Sequence, residues 1–340
     1  MTVAEPNHWT DPGAWPVAPG VHRIPLPLPM DGLRAVNVYV LESDEGLTLI
    51  DAGWAIEEAR ALLESSLASI DRKIEDVTRF LVTHVHRDHY TQAVTVRREF
   101  GSHVSLGLGD KPTLDLILEE ELDADPHIEM LTEAGAAKIA AAWENFTRDS
   151  TPDKTMWEYP DAWLEQDHAI TVGKRTLDAV STPGHTQGHF VFADRAAGLL
   201  FAGDHVLPTI TPSIGFEPVL ASQPLGDFLT SLAKVRQMPD LELLPAHGPV
   251  GMSSHQRVDE LVSFHDVRLD LCRAAVAGGA TAYDVARQLP WTRHDHRLDD
   301  LDLFNAALAT LETRAHLELL VAQDELTRTP SDDGIVYSLR

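Results

Sequence analysis

The stretch Phe80-Leu81-Val82-Thr83-His84-Val85-His86-Arg87-Asp88-His89-Tyr90 governs how the rest of the chain is read. Its first four residues are apolar or β-favouring, the pattern of a buried strand. His84, His86, Asp88 and His89 then arrive within six positions. Side chains alternate along an extended segment, so His84 and His86 point the same way. A turn beginning at Asp88 can swing Asp88 and His89 toward a second point nearby. Imidazole nitrogens and carboxylate oxygens are ligands of Zn²⁺ and similar first-row ions. A site that holds such ions is built to activate water. A single loop histidine is ordinarily a solvated surface residue. Four ligand-type residues straight after a strand require further ligands from elsewhere in the chain.

Those ligands stand at the ends of other strand-like runs. Residues 47–50 run into Asp51-Ala52-Gly53, and a carboxylate there could orient a ligand histidine through a hydrogen bond. Alone, Asp51 would read as a simple turn residue. Residues 176–181 lead into Thr182-Pro183-Gly184-His185-Thr186-Gln187-Gly188-His189, where Gly184 permits a sharp turn that exposes His185. His185 is the natural third histidine for a first ion. His189 reads equally as a group behind the ligands or as a satisfied structural histidine. Residues 199–202 end in Gly203-Asp204-His205. Asp204 has two oxygens and can bridge two cations; His205 reads as a supporting or pocket residue. Residues 241–244 lead to Pro245-Ala246-His247-Gly248, and His247 is the last ligand needed.

Between these points the pattern alternates. Residues 35–41 and 47–50 read as strands around a turn at 42–46, residues 56–70 and 89–100 as helices, and residues 104–108 as a further strand. This alternation argues for an α/β layered core, in which sites assemble at strand ends. Residues 1–20 read as an irregular lead-in. Residues 21–29 carry three prolines and would be an edge strand at best. A mostly helical, acidic block at about 110–150 interrupts the strands, and a lid or substrate wall is favoured over a packing insertion. Tyr90 would either touch substrate or pack under its helix. Phe216, in a loop over 208–223, is placed along the pocket rim.

Composition narrows the function. The chain has 340 residues, 44% of them apolar, and a formal charge of −26. That suffices for one large domain and a small one. It argues against binding to nucleic-acid backbone or an anionic membrane surface. One cysteine, Cys272, excludes an internal disulfide and a C-x-x-C site. Neither a signal peptide nor a membrane span is evident, so a cytoplasmic location is expected.

The motifs at Asp51, Thr83 to His89, Thr182 to His189, Asp204 and His247 resemble those of the metallo-β-lactamase-fold superfamily of hydrolases, in order and in spacing over residues 21–250. The resemblance implies a four-layer αβ/βα sandwich with a dinuclear metal centre at one edge. By carry-over, His84, His86 and His185 hold the first metal, Asp88, His89 and His247 the second, and Asp204 bridges them. Zinc is the default ion, with iron or manganese as alternatives. Asp88 and Asp204 would handle protons secondarily, while Asp51, His189 and His205 would support the ligands.

An aspartate at 204 is similar to glyoxalase II-like thioesterases and lactonases, whereas Tyr90-Thr91 replaces the small pair usual after the histidine motif. Residues 253–340 read as three helices and a β wing. They are similar to the winged-helix tail of the beta-lactamase-like protein 2 branch, some members of which are implicated in RNA cleavage. Here the tail has no lysine, which favours packing, pocket capping or a homodimer contact over RNA binding. The expected domains are a lead-in at 1–20, a catalytic domain at 21–252 and a tail at 253–340. The expected function is hydrolysis of a small ester, thioester or lactone by a hydroxide shared between two cations. A metal-dependent endoribonuclease, a β-lactam hydrolase and a non-catalytic binding protein are the alternatives.

Overall fold

Alternation along single strands accounts for the layering. The structure, a computed structural model, describes residues 8–29, 32–119, 125–148, 153–292 and 296–340; readings that fall on the other residues, including parts of the lead-in and of the 110–150 block, lie outside the described residues. The first sheet has the order β1 (Trp15–Ala18), β2 (Val21–Pro27), β3 (Ala35–Ser43), β4 (Gly46–Ile50), β5 (Val77–Leu81), β6 (His103–Gly107), β7 (Ala162–Leu164). The second contains β8 (His168–Val172), β9 (Arg175–Ser181), β10 (Phe190–Asp194), β11 (Leu199–Gly203), β12 (Glu242–Pro245) and β13 (Met252–Ser253), arranged β13-β12-β11-β10-β9-β8. A small third sheet joins β14 (Ala280–Thr281), β16 (Gly334–Leu339) and β15 (Leu326–Ser331). The helices are α1 (Glu57–Ala68), α2 (Arg87–Phe100), α3 (Lys111–Leu118), α4 (Pro126–Glu133), α5 (Ala137–Thr147), α6 (Pro224–Arg236), α7 (Ser254–Ala275), α8 (Ala282–Ala286) and α9 (Leu303–Ala322).

Along β3, Val36, Val38 and Val40 face one way and Tyr39 and Leu41 the other. The valines pack with Ala59, Leu63 and Leu67 of α1 and with Ala93, Val94 and Val96 of α2. Tyr39 and Leu41 pack with Leu177, Phe190, Phe192 and Phe201 of the second sheet. The sequence of layers is therefore helix, sheet, sheet. Beyond the second sheet, Ser231 and Lys234 of α6 donate to the Pro183 and Ser181 carbonyls, which ties that half of the helix to β9 and its following turn. This is the expected mixed α/β sandwich.

Three details differ from the sequence reading. The lead-in read as irregular supplies strand β1 at Trp15–Ala18. β2 is not an edge strand, because β1 pairs with it at Val21, His22 and Arg23. Its prolines lie beyond that pairing, and opposite Pro25 the Asn37 N–H turns instead to the Ala246 carbonyl. The missing N–H groups therefore break no ladder. The short strand β7 gave no alternating run long enough to be read from the sequence.

The chain forms two compact units. One comprises Met1–Leu118, Asp153–Pro212 and Ser231–Asp259, and contains both large sheets. The other comprises Glu119–Pro152, Ser213–Thr230 and Glu260–Arg340. Most of the block read as an insertion is thus grouped with the C-terminal chain. Within that second unit Arg314 of α9 binds Glu133 at 2.6 Å, and the Tyr283 N–H donates to the Ala134 carbonyl at 2.9 Å. Three of its helices start on side-chain caps: Asp125 for α4, Thr281 with Asp284 for α8, and Asp302 for α9. The expected wing is the hairpin β15–β16, extended by β14. Among the described residues no helix is long and apolar enough to cross a membrane.

Candidate metal centre

Strand direction brings the ligand-type residues to one edge of the first unit. β4 and β5 run parallel, as do β11 and β12, so the C-terminal ends within each pair coincide. Asp51 follows β4, His84 and His86 follow β5, Asp204 follows β11 and His247 follows β12. The turn from β9 to the antiparallel β10 supplies His185 at the same edge. Asp88 and His89 lie in the first turn of α2, so the helix start provides the swing that a turn was expected to give. The Phe190 N–H donates to the Thr83 carbonyl at 2.8 Å, joining the two sheets here.

The seven expected donors form one cluster, in which His84, His86 and His185 make one group and Asp88, His89 and His247 another. His86 Nδ1 lies 3.0 Å from His84 Nε2 and 3.2 Å from His185 Nε2. Two nitrogens held tetrahedrally by one zinc ion are separated by about 3.3 Å. Asp204 stands between the groups: Oδ2 is 3.7 Å from His185 Nε2, and Oδ1 is 3.4 Å from His247 Nε2. His89 Nε2, His247 Nε2 and Asp204 Oδ1 are buried without a hydrogen-bond partner. Buried polar atoms of this kind are costly unless something else satisfies them. The donor types, their spacing and these orphaned lone pairs all fit a pair of divalent cations.

A ring of supporting hydrogen bonds aims the lone pairs. Asp51, whose backbone is left-handed at φ 61°, accepts from the Thr83 N–H at 2.8 Å, from the Thr83 hydroxyl at 3.1 Å and from His89 Nδ1 at 2.9 Å. With its proton on Nδ1, His89 turns a bare Nε2 into the cluster. Thr83 Oγ1 lies 3.0 Å from His84 Nδ1, and His247 Nδ1 donates to the Ala35 carbonyl at 2.8 Å. His189 is not among the grouped donors; its Nε2 accepts from the Asp204 N–H at 3.2 Å while Nδ1 faces Thr182 Oγ1 at 2.9 Å. Gly203 is required here, because its φ is 51° and a Cβ would lie 2.7 Å from both His189 Nε2 and Thr83 Oγ1.

Burial pushes His84 well below the ordinary imidazole value, and the surrounding imidazoles lower it further. At His89 burial opposes the charge, but Asp88, Asp51 and Asp204 together outweigh it and raise the value. At His247 burial is again overcome, by Asp204 and Asp88, and the value rises well above the ordinary one. Burial works against the charge on Asp204 and Asp88 too, yet His247 and His89 hold both carboxyls below the usual range. Negative charge is therefore concentrated where cations would sit.

Tyr90 does not meet the expectation of a substrate contact, whereas His205 lies where a supporting residue was expected. Tyr90 is fully buried; its ring stacks on Trp157 and its hydroxyl donates to the Glu158 carbonyl at 2.7 Å. It packs under its helix and does not line an open pocket. Phe216 belongs to the second unit, in an aromatic group with His127, Trp143 and Phe304. His205 is buried beside His189, with ring centroids 5.9 Å apart, and burial pushes it down to about 3. Two supporting residues were missed. Asn37 is buried in the apolar β3 and donates to the Pro245 and Gly248 carbonyls at 3.0 and 2.9 Å, clamping the turn that carries His247. A lone amide in Ala35-Val36-Asn37-Val38-Tyr39-Val40 was the available signal. The other is Asp110, between glycines and a helix start.

The family model of the metallo-beta-lactamase superfamily matches residues 31–247. The chain belongs to this superfamily. Among related members, it is 24% identical over 314 residues to the Probable metallo-hydrolase YqjP of Bacillus subtilis, covering 90% of this chain and 92% of that protein. It is 27% identical over 231 residues to the Beta-lactamase-like protein 2 homolog of Caenorhabditis elegans, covering 68% of this chain and 61% of the relative. A Hydroxyacylglutathione hydrolase of Bartonella henselae is 31% identical over 118 residues, 35% of this chain and 42% of that one. A metallo-beta-lactamase family protein of Thermus thermophilus has a solved structure with TM-score 0.72 and 28% identity, covering 96% of this chain and all of the other. A metal-dependent hydrolase is the enzyme class that the family and these relatives support.

Proposed function

We propose that this chain hydrolyses a small ester, thioester or lactone, with His84, His86 and His185 holding one divalent cation, Asp88, His89 and His247 a second, and Asp204 shared between them. The observation that carries the reading is Asp204 itself: its two oxygens face different donor groups, one toward His185 and the other toward His247 and His89. Cations bound there would supply an acidified water and an electrophile for a carbonyl oxygen. The chain contributes the rest. Asp51, Thr83 and the Ala35 carbonyl fix which nitrogen of His89, His84 and His247 is bare. Asp88 and Asp204 are kept ionised by neighbouring imidazoles, which leaves their oxygens available as cation ligands first and as proton acceptors only second. The name of the Bartonella relative supports a thioester, since hydroxyacylglutathione is one. The formal charge of −26 weighs against RNA.

The test joins metal analysis of the purified protein to a panel of thioesters, lactones, β-lactams and RNA, with His86→Ala as control. The reading expects close to two equivalents of metal, zinc by default, and acyl-ester hydrolysis lost on chelation and in the variant. Full ester hydrolysis after complete chelation overturns it, as does cleavage of RNA with no acyl substrate turned over.

A further inference from the structure

Asp110 follows β6 and precedes α3, and it is 1% exposed. Its Oδ2 accepts from the Val85 N–H at 2.9 Å and its Oδ1 from the Gly188 N–H at 2.7 Å. Val85 sits between His84 and His86, and Gly188 lies in the turn that carries His185. One buried carboxylate therefore grips, through its two oxygens, both of the backbone segments that supply the first donor group. We propose that Asp110 is a positioning residue that sets the separation of these two segments and thereby the affinity of His84, His86 and His185 for a divalent cation.

The surroundings support a fixed spacer. A Cβ on Gly107 would fall 1.8 Å from the Gly188 carbonyl oxygen, and one on Gly109 would fall 2.2 Å from that of Gln187. A Cβ on Gly188 would fall 2.4 Å from the Asp110 nitrogen. The backbones thus approach with no room for an intervening side chain, and the Asp110 carboxylate spans what remains. The consequence appears at the donors, where His86 Nδ1 and His185 Nε2, on the two gripped segments, stand 3.2 Å apart. Zinc–nitrogen bonds of about 2.0–2.1 Å tolerate deviations of only about 0.2 Å, so a slip of one segment would spoil the group. The inference rests on reading these histidines as metal ligands, but assigns Asp110 a role which that reading does not require.

Asp110→Asn tests it. The amide is nearly isosteric but keeps one acceptor, and its NH₂ opposes the other backbone N–H. The metal-free full chain is titrated with Zn²⁺ against a chromophoric chelator, and with Co²⁺ while the visible spectrum is recorded. The proposal expects one metal equivalent to bind roughly 10–100-fold more weakly, with an altered Co²⁺ spectrum. Wild-type affinities and an unchanged spectrum in a folded variant overturn it, even if the melting temperature falls, because Asp110 would then be only a fold anchor. A variant that fails to fold leaves a second measurement, hydrogen exchange in the wild-type chain with and without chelator. Peptides containing Val85 and Gly188 should stay protected when metal is removed, since the carboxylate holds them; loss of protection on chelation refutes the role. Failure of the wild-type chain to take up Zn²⁺ at all would instead strike the metal-site reading, and the Asp110 role with it.

Discussion

Replacing Asp51 by asparagine should weaken the cation site that contains His89 more than the one that contains His84. Three donors converge on this carboxylate: the Thr83 N–H on Oδ1, and the Thr83 hydroxyl and His89 Nδ1 on Oδ2. An amide has one acceptor oxygen. If that oxygen stays on the Thr83 N–H, the NH₂ faces His89 Nδ1, which must then accept. The His89 proton moves to Nε2, the atom that points toward Asp88 and Asp204 at 3.6 and 3.7 Å. A protonated Nε2 cannot bind a metal. If the amide flips, its NH₂ opposes the buried Thr83 N–H at a cost of about 1–3 kcal/mol. Loss of an orienting partner of a ligand histidine weakens metal binding by about 10–100-fold, or about 1.4–2.7 kcal/mol at 1.4 kcal/mol per decade. Competitive chelator titration of Asp51→Asn should show one equivalent weakened by that amount and the other weakened less, because the second group is reached only through the shared Asp204 and through Thr83. Two equivalents bound with wild-type affinity would refute the claim that Asp51 sets the His89 tautomer.

Other outcomes follow from the same geometry. Gly203→Ala should destabilise the chain by roughly 2–5 kcal/mol in denaturant unfolding, because a left-handed backbone costs a residue with a Cβ about 1–2 kcal/mol and overpacking about 1–3 more; a change below about 0.5 kcal/mol would show that the close contact with His189 relaxes freely. In the second unit, both ring nitrogens of His127 meet acceptors, Asp125 Oδ1 at 2.6 Å and the Phe216 carbonyl at 2.8 Å. Burial opposes its charge, but the bond to Asp125 prevails and its pKa lies above the ordinary 6.5. That contribution to stability is fully present below pH 6.5 and is lost as pH rises through the raised value. Thermal melts of the wild type should therefore weaken across that range, and His127→Gln should flatten the slope; an equal slope in both would contradict the assignment. Asn37→Ala should lower stability by about 1–3 kcal/mol by taking the Asn37 donor from the Gly248 carbonyl, while the Pro245 carbonyl keeps the Tyr39 hydroxyl, as unfolding titrations would show.

The candidate site was legible because its donors carry their chemistry in short strings. His84, His86, Asp88 and His89 fall within six positions, and Asp51, His185, Asp204 and His247 each stand within two residues of a glycine, after a strand-like run. Strand alternation then predicts which residues share an edge. What was not legible depends on contacts between distant parts of the chain. The partners of Asp110, Val85 and Gly188, are 25 and 78 residues away, and no local pattern announces them. Asn37 clamps carbonyls more than 200 residues further on. Tyr90 looked like a wall residue because it follows His89, but helix geometry turns it to the buried side, against Trp157. The prolines of β2 suggested an edge strand, since a sequence does not reveal how far β1 extends along it. Phe216 fell in a loop whose neighbours, His127 and Trp143, come from the block at 125–148.

The central claim is that two cations sit in this cluster, and anomalous diffraction at the zinc edge from zinc-loaded crystals tests it most directly. Two peaks are predicted, one enclosed by His84, His86 and His185 and the other by Asp88, His89 and His247, with Asp204 between them. No peak in the cluster at saturating zinc, or zinc bound only by residues elsewhere, would contradict the account.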